Sequence, residues 1–235
     1  MVLKDRLDHL RGIVKTEKKV KVTELSQRFD VTEETIRRDL ERLELEGLIT
    51  RTHGGAVLKV ENMFDRLGYT HRSRTNVEEK KKIAQIVASI IPMQATLFAD
   101  ASSTVMEALT LMADRDDITV LTNSIPVLSS LNQSGLNIMS TGGANNRVSC
   151  SLQGIIARTT IMNYHVDFVL TSCKGLKLDE GAYDSREGET EIKQLMISRG
   201  QKTIMMADHT KFDRTSFVKY CSFQQIDILV TDRRP

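Results

Sequence analysis

The hydrophobic residues between positions 31 and 45 recur with the period of an α-helix. Val31, Ile36, Leu40 and Leu43 are spaced three to five residues apart, so they fall on one stripe of a helix that packs inward. Charged and polar residues fill the other positions, and some of them form a second, outward stripe, which consists of Thr35, Arg38 and Arg42. Taken alone, such a segment is most simply a solvated surface helix.

The sequence also indicates where this helix and its neighbours begin and end. The Thr32 hydroxyl can accept a hydrogen bond from the backbone N–H groups of the first turn, so Thr32 is the predicted N-cap, and Glu46-Gly47 marks the predicted end. Residues 3–16 keep a helical period, and Thr23 is predicted to cap a second, short helix over residues 24–29.

These short helices and the segment that follows them predict a winged helix-turn-helix. A tight connection at Asp30 and Val31 joins the second helix to the third, which can then lie in the major groove of DNA. After position 47 two short β segments flank Gly54-Gly55, which is a hairpin signal. The side chains predicted to contact DNA are Thr32, Thr35, Arg37, Arg38, Arg42, Arg51 and His53.

From position 76 onward, strand and helix patterns alternate. Strands are predicted over residues 95–99, 118–121, 136–139, 166–170, 203–207 and 226–230, and helices over residues 78–91, 103–112, 125–131, 151–164 and 187–199. This alternation predicts an α/β domain with a mostly parallel sheet covered on both faces. Residues 59–75 lack a steady period and are predicted to form a linker, so the predicted domains are residues 1–58 and 76–235.

Small or polar residues follow five of the predicted strands. Ligands of parallel sheets bind beyond the carboxyl ends of the strands, where N–H groups at a helix start can hold a phosphate and glycines let a ligand approach the backbone. Each loop alone is more simply a cap or a turn. Together they predict a site for a small phosphorylated, polyhydroxylated effector, formed by Asp100, Ser102, Ser103, Thr104, Thr122, Asn123, Gly142, Gly143, Lys174, Asp208 and Lys211.

Composition narrows the class of protein. The 235 residues carry 33 Lys and Arg against 31 Asp and Glu, a net charge of +2, so contact with nucleic acid must depend on locally placed charge. The three cysteines (Cys150, Cys173 and Cys221) are widely spaced and predict neither a disulfide framework nor a zinc site; no metal or cofactor is expected. Without a leader or an apolar run near the ~20 residues of a membrane span, a soluble, cytoplasmic protein is expected.

Two stretches carry a family resemblance. The motif at residues 35–40, Thr-Ile-Arg-Arg-Asp-Leu, followed by His-Gly-Gly-Ala at residues 53–56, resembles the DNA-binding signature of the DeoR family of bacterial transcriptional regulators. The strand-end series, including Asp-Ala-Ser-Ser-Thr at residues 100–104 and Asp-His-Thr-Lys at residues 208–211, resembles the effector domain of that family. That domain is similar to ribose-5-phosphate isomerase and glucosamine-6-phosphate deaminase.

The resemblance implies a regulator of a carbohydrate-use operon, most often a repressor, although activators occur. Its effector would be a sugar phosphate, with the phosphate on the loop at residues 102–104 and Lys211 near the ligand. The loops at residues 100–104 and 172–175 are similar to those in regulators of 6-deoxyhexose use, which implies a ketose 1-phosphate.

Two other functions stay open. A sugar-phosphate isomerase or deaminase with a DNA-binding head would need a positioned carboxylate or histidine to move a proton. Asp100, Asp208 and His209 are present, but none lies in a recognisable catalytic set, so no enzyme is predicted. The helix-turn-helix could instead dock a protein. Because one head makes few base contacts, a DNA-binding homodimer or higher homo-oligomer is expected.

Overall fold

The computed structural model describes residues 3–45, 48–58 and 68–234. The chain divides into two compact units, Met1–Leu67 and Gly68–Pro235, which we call the first unit and the sensor unit. Within the described ranges, no helix is both long enough and apolar enough to span a bilayer. The predicted helix end at Glu46-Gly47 and residues 59–67 of the predicted linker lie outside the described residues.

The described part of the first unit combines helices with a small antiparallel sheet of order β1-β3-β2. Its core takes Ile36, Leu40 and Leu43 from the third helix, all of them buried, and this confirms the predicted packing stripe. A helix-turn-helix followed by a β-hairpin is the winged architecture that the sequence predicts. The elements are α1 (Leu3–Glu17), β1 (Lys19–Lys21), α2 (Val22–Phe29), α3 (Glu33–Leu45), β2 (Ile49–Thr52) and β3 (Gly55–Leu58).

The helix starts of the first unit agree with the sequence at one of two places. The Thr35 N–H donates to Thr32 Oγ1 at 3.3 Å, so Thr32 caps α3 as predicted. The prediction of Thr23 as the cap of α2 is wrong, because that helix begins at Val22 and no side chain caps it. Strand β1 was not predicted, since Val20 is its sole buried residue and a single apolar position has no period.

The sensor unit is built on a six-stranded sheet of order β14-β12-β9-β4-β5-β6, in which every neighbouring pair is parallel. One hydrophobic core contains Ile83 of α5 and Leu109 of α6, and a second contains Ile161 of α8 and Met196 of α9. The predicted α/β domain with a parallel sheet is therefore confirmed. Its elements are α4 (Tyr69–Arg74), α5 (Val77–Ile90), β4 (Thr96–Ala99), α6 (Ser103–Leu111), β5 (Thr119–Thr122), α7 (Ile125–Ser130), β6 (Asn137–Ser140), β7 (Ala144–Asn146), β8 (Ser151–Gln153), α8 (Ile155–Met162), β9 (Val166–Ser172), β10 (Gly175–Lys177), β11 (Gly181–Asp184), α9 (Glu187–Arg199), β12 (Gly200–Met206), β13 (Val218–Ser222) and β14 (Ile228–Val230).

Two segments of the sensor unit differ from the prediction. Residues 69–74, expected to be linker, form helix α4. The single helix expected over residues 151–164 is wrong: Ser151–Gln153 pairs with β7 as strand β8, and helix α8 starts only at Ile155. Gly154, between them, has a positive φ of 87°, which interrupts any regular element. The antiparallel sheet of β10, β11 and β13 was also not predicted.

Candidate functional sites

The outward face of α3 presents three arginines to solvent. The side chain of Arg38 is the most exposed of them, at 73%, and those of Arg37 and Arg42 are about half exposed. Each guanidinium lies 2.6 to 3.8 Å from a carboxylate of the same helix. The pairs of Arg37 and Arg38 with glutamates of α3 are exposed and stabilise a protein little, so these guanidinium groups can exchange their partners for phosphates or base edges, whereas Arg42 lies 3.8 Å from the buried Asp39.

The other residues predicted to contact DNA lie at the start of α3 and on the wing. The Thr32 and Thr35 hydroxyls are 2.9 Å apart on the first turn of α3. Arg51 and His53 are exposed on β2 and its turn, and the Arg51 N–H donates to a Glu44 carboxylate oxygen at 3.0 Å, which ties the wing to α3. These residues lie on the first turn of α3 and on the wing, as predicted. Their contacts with DNA stay a prediction.

One charged residue of the helix motif faces the opposite way. Asp39 is buried, and its Oδ2 lies 2.6 Å from Arg6 Nε of α1. This ion pair joins α1 to α3 and so fixes the helix that carries the arginines. The helical period alone assigns Asp39 to no contact, because its partner lies 33 positions away in the sequence.

The carboxyl ends of the parallel strands bring the predicted effector loops to one edge of the sheet. Asp100, just beyond β4, is buried there, and its Oδ1 accepts the Ser102 N–H at 2.8 Å. Its Oδ2 accepts the Thr171 hydroxyl at 2.8 Å and the Ser172 N–H at 3.1 Å. Asp100 therefore holds the loop after β4 against the end of β9.

A buried lysine that the sequence did not single out completes this arrangement. Lys193 of α9 is 3% exposed, and its Nζ lies 2.6 Å from an Asp184 oxygen and 3.3 Å from Asp100 Oδ2. It also donates to the Ser172 carbonyl at 2.6 Å. Burial by itself would lower the pKa of this ammonium, but Asp100 and Asp184 outweigh burial and raise the pKa above its ordinary value. The carboxylates of Asp100 and Asp184 therefore compensate the positive charge of Lys193 within the protein.

A second buried lysine has quite different surroundings. Lys80, in the first turn of α5, is 4% exposed, and its Nζ donates to the Thr75 carbonyl at 2.6 Å and to the Arg72 carbonyl. Among the residues that the structure describes, no carboxylate forms an ion pair with it. This burial was not predicted, since Lys80 lies in the charged run Glu-Glu-Lys-Lys-Lys at residues 78–82, which is typical of a solvated face.

The electrostatic surroundings of Lys80 involve the loop after β12. Burial, and then the positive charge of Lys211, lower the pKa of Lys80 to about 8, while Asp208 and Glu107 act in the opposite direction. Asp208 is itself buried; its Oδ1 accepts the Asn76 amide at 3.1 Å, and its Oδ2 lies 4.0 Å from Lys211 Nζ. The positive charge of Lys211 thus acts on Lys80, and Asp208 is the buried carboxylate closest to Lys211 at this strand end.

The end of β5 carries an unsatisfied acceptor. The Thr122 hydroxyl donates to the Ala99 carbonyl at 2.7 Å, and the Asn123 Nδ2 donates to the Leu152 carbonyl at 3.2 Å. Asn123 Oδ1 is fully buried and finds no hydrogen-bond partner among the residues that the structure describes. A buried acceptor left unpaired costs about 1–3 kcal/mol, so this oxygen is suited to a donor that a ligand brings.

Further polar groups lie around the neighbouring loops. Ser102 is the N-cap of α6 without a side-chain capping bond, and Ser103 and Thr104 are buried in its first turn. Glu189 of α9, which was not predicted, is buried and accepts the Ser151 hydroxyl at 2.5 Å and the Gln153 amide. Glu189 was missed because it lies in another charged segment of the sequence.

Three other predicted effector residues have local structural roles. Gly143 has a φ of 114°, and a Cβ there would lie 2.5 Å from the Gln153 carbonyl oxygen, so glycine is required by the packing of the hairpin. Gly142 has a φ of 64°, and a Cβ there would lie 3.3 Å from Ile156 Cγ2. Lys174 donates from Nζ to the Ser185 hydroxyl. Contact of any of these with an effector stays a prediction.

Comparison with known families fits both units. Residues 6–62 match the DeoR-like helix-turn-helix domain, and residues 75–233 match the DeoR C terminal sensor domain. The chain belongs to the DeoR family. The identification made from the two motifs is confirmed, and this DeoR-family protein is a transcriptional regulator with a DNA-binding domain and a sensor domain.

Relatives of this DeoR-family protein extend over almost its whole length. The "Uncharacterized HTH-type transcriptional regulator YulB" of Bacillus subtilis is 37% identical over 233 residues, which are 99% of this chain and 90% of the relative. The "HTH-type transcriptional repressor GlcR" of the same organism is 33% identical, with 100% and 90% covered. The "L-fucose operon activator" of Haemophilus influenzae is 32% identical, with 92% and 86% covered. One of these relatives is named as a repressor and another as an activator.

Among solved structures, a D-ribose-5-phosphate isomerase in complex with phospho-erythronic acid is similar in fold. It has 14% sequence identity and a TM-score of 0.44, with 58% of this chain and 54% of the isomerase covered. At that level the likeness says nothing about what this DeoR-family protein binds.

Proposed function

We propose that this protein represses a carbohydrate-use operon, that α3 and the wing bind the operator, and that a phosphorylated sugar bound at the strand ends of the sensor unit controls this binding. The observation that carries the proposal is Lys80, a buried ammonium next to Lys211 without an ion-paired carboxylate among the described residues.

The two lysines account for the phosphate. Burying a charge is costly unless it is paired, and a buried lysine next to a second positive charge is costlier still. A phosphate between Lys80 and Lys211 would supply the missing negative charge and several acceptor oxygens. The buried Asp208 disfavours an anion directly against it, so we expect the phosphate on the lysine side of this loop, rather than on the loop at residues 102–104 where the family resemblance puts it.

Asn123 and the hydroxyl-bearing loop after β4 account for the sugar. The free acceptor of Asn123 requires a donor, and a sugar hydroxyl is one. In the sheet, β12 and β5 are three strand intervals apart, which is about 14 Å at the usual spacing. A ligand that engages both ends therefore carries its phosphate at one end and hydroxyls along its length. A ketose 1-phosphate fits that description.

Calorimetry and thermal shift test the effector. Ketose 1-phosphates, the parent ketoses and inorganic phosphate are compared on the full chain, and the sugar phosphate is expected to bind most tightly and to raise the melting temperature most. Equal shifts from the parent ketose would remove the phosphate from the proposal. Turnover of the sugar phosphate, abolished by Asp208→Asn, would show that the protein is an isomerase or deaminase.

Electrophoretic mobility shift with an upstream operator fragment tests the DNA-binding surface. Arg38→Ala is expected to weaken operator binding by about 1–3 kcal/mol, the value of one good base contact, while sugar-phosphate affinity is unchanged. Lys202→Ala, an exposed charge of β12, is the matched control. If the Arg38→Ala protein bound the operator at moderate salt as tightly as wild type, the assignment of α3 as the DNA-contacting helix would be refuted.

We also propose that the protein acts as a homodimer or higher homo-oligomer, because two heads are needed to read repeated half-sites. Light scattering of the protein alone and on its operator checks this. A monomer in both states would contradict it.

A further inference from the structure

Helix α4 is the first described helix of the sensor unit and begins one residue after Gly68, the first residue of that unit. None of its six residues is fully buried, and Tyr69 is half-buried. Polar contacts at its two ends therefore add to this limited packing in holding the helix in place.

The C-terminal end of α4 is held by Lys80. The ammonium donates to the carbonyls of Arg72, in the last turn, and of Thr75, the C-cap residue. A positive charge at this position stabilises a helix, because the unpaired carbonyls carry the negative end of the helix dipole. The same ammonium is the anion-binding group of the proposed function.

The N-terminal end of α4 rests on the loop after β7. The Tyr69 N–H donates to the Val148 carbonyl at 3.0 Å, and Arg72 Nη2 donates to the Ser149 carbonyl at 3.4 Å. Gly68 approaches so closely that a Cβ there would lie 2.5 Å from the Val148 oxygen. This end therefore requires both the loop and the absence of a side chain at position 68.

The corner between α4 and α5 is joined to the loop that carries Lys211. Asn76 has a left-handed backbone with φ 51°, and its amide donates to Asp208 Oδ1 and to Thr210 Oγ1, both at 3.1 Å. The segment from α4 to Lys80 is thus connected to the strand end where the effector is proposed to bind.

Resting on the proposed function, we propose that Lys80 couples effector binding to helix α4: a bound phosphate draws its ammonium from the C-terminal carbonyls of α4 and releases that helix. The phosphate is the stronger partner because its hydrogen bonds to an ammonium are charge-assisted at both groups. Linkage requires the converse as well, so a state that keeps α4 in place binds the effector more weakly.

Hydrogen exchange of the full chain, with and without inorganic phosphate, tests the coupling. Phosphate is expected to protect the amides of residues 208–212 and to speed exchange at residues 70–75 by about three- to tenfold, the range that a charge at a helix end commands. If residues 208–212 gain no protection and calorimetry detects no binding, the anion site itself is wrong and the coupling falls with it. If phosphate protects residues 208–212 but exchange in α4 is unchanged, the coupling alone is overturned.

Three variants sharpen this result. Lys80→Gln is expected to show fast exchange in α4 without phosphate and no further response, whereas Lys81→Gln, the exposed neighbour, should behave as wild type. Gly68→Ala pushes α4 from the loop without touching Lys80, so it should speed exchange in α4 while binding phosphate at least as tightly as wild type. Slow α4 exchange in Lys80→Gln, or weakened phosphate binding in Gly68→Ala, would contradict the proposal.

Discussion

Lys193 and Lys80 are both buried near the carboxyl ends of neighbouring strands, yet their electrostatic surroundings are opposite in effect. Lys193 lies within 3.3 Å of two carboxylates, which raise its pKa. Lys80 donates to two backbone carbonyls, and burial together with the positive charge of Lys211 lowers its pKa to about 8. Two carboxylates compensate the charge of Lys193, whereas none of the described carboxylates forms an ion pair with Lys80.

This difference separates scaffold from site. A compensated buried charge fixes the elements that supply its partners, here β4, β9, β11 and α9, and gains nothing from a further ligand. An under-compensated one carries a free-energy cost that an anion can relieve. Burial alone therefore does not mark a functional lysine; Lys80 is the candidate for binding an anion because none of the described carboxylates forms an ion pair with it and its pKa is lowered.

The largest expected effect concerns stability. Lys193→Met leaves Asp100 and Asp184 buried without a counter-charge, and we expect it to lower the free energy of unfolding of the sensor unit by about 3–5 kcal/mol. Lys80→Met, which removes an unpaired charge as well as two hydrogen bonds, should change it by no more than about 1 kcal/mol. Urea-dependent hydrogen exchange reports the sensor unit by itself. Equal losses would erase the distinction between the lysines.

The next effect concerns affinity. Lys80→Met is expected to lower the affinity for a sugar phosphate by about ten- to a hundredfold, since one hydrogen bond to a charged group contributes about 1.5–3 kcal/mol. Lys81→Met, the exposed neighbour, should bind as wild type, and the affinity of the unphosphorylated sugar should not change in either variant. Calorimetry measures all three. An equal loss for the unphosphorylated sugar would mean that Lys80 only shapes the pocket.

The features predicted correctly from the sequence are those that hydrophobic periodicity and strand order determine. The inward stripe of α3 and the five loops at one sheet edge follow from local patterns, and the parallel sheet brings the loops together without further information. Lys80, Asp39 and Glu189 were missed because a charged residue in a charged run is normally solvated, and only a distant partner in the fold decides otherwise. Strand β8 was missed because three residues next to a helix carry too short a period to be separated from it.

A pH titration sharpens the comparison further. Lys80 is charged below a pKa of about 8 and neutral above it, whereas a phosphate monoester is mostly dianionic above pH ~7 because its second pKa is ~6. Sugar-phosphate affinity should therefore change little between pH 7 and 7.5 and fall above pH 8 by up to about tenfold per pH unit. The charged groups that face Lys80 are Arg72, Glu107, Asp208 and Lys211.

Lys80→Gln provides the control for this titration, because it has no proton to lose and its weaker affinity should stay flat across the same range. Lys193 cannot produce the fall, since its raised pKa keeps it charged. A fall of equal size in Lys80→Gln would assign the titration to another group.

The smallest expected effect is that of Arg38→Ala on the stability of the first unit, where the same contrast recurs between two arginines. Arg38 is 73% exposed and 3.4 Å from a Glu34 carboxylate, whereas Arg6 is mostly buried against the buried Asp39 at 2.6 Å. Arg38→Ala should change the free energy of unfolding by less than about 0.5 kcal/mol, while Arg6→Ala should cost at least about 2 kcal/mol because it strands a buried carboxylate. Hydrogen exchange of the first unit under urea measures both. If Arg38→Ala destabilised the unit as much as Arg6→Ala, its loss of operator binding would reflect unfolding rather than a lost DNA contact.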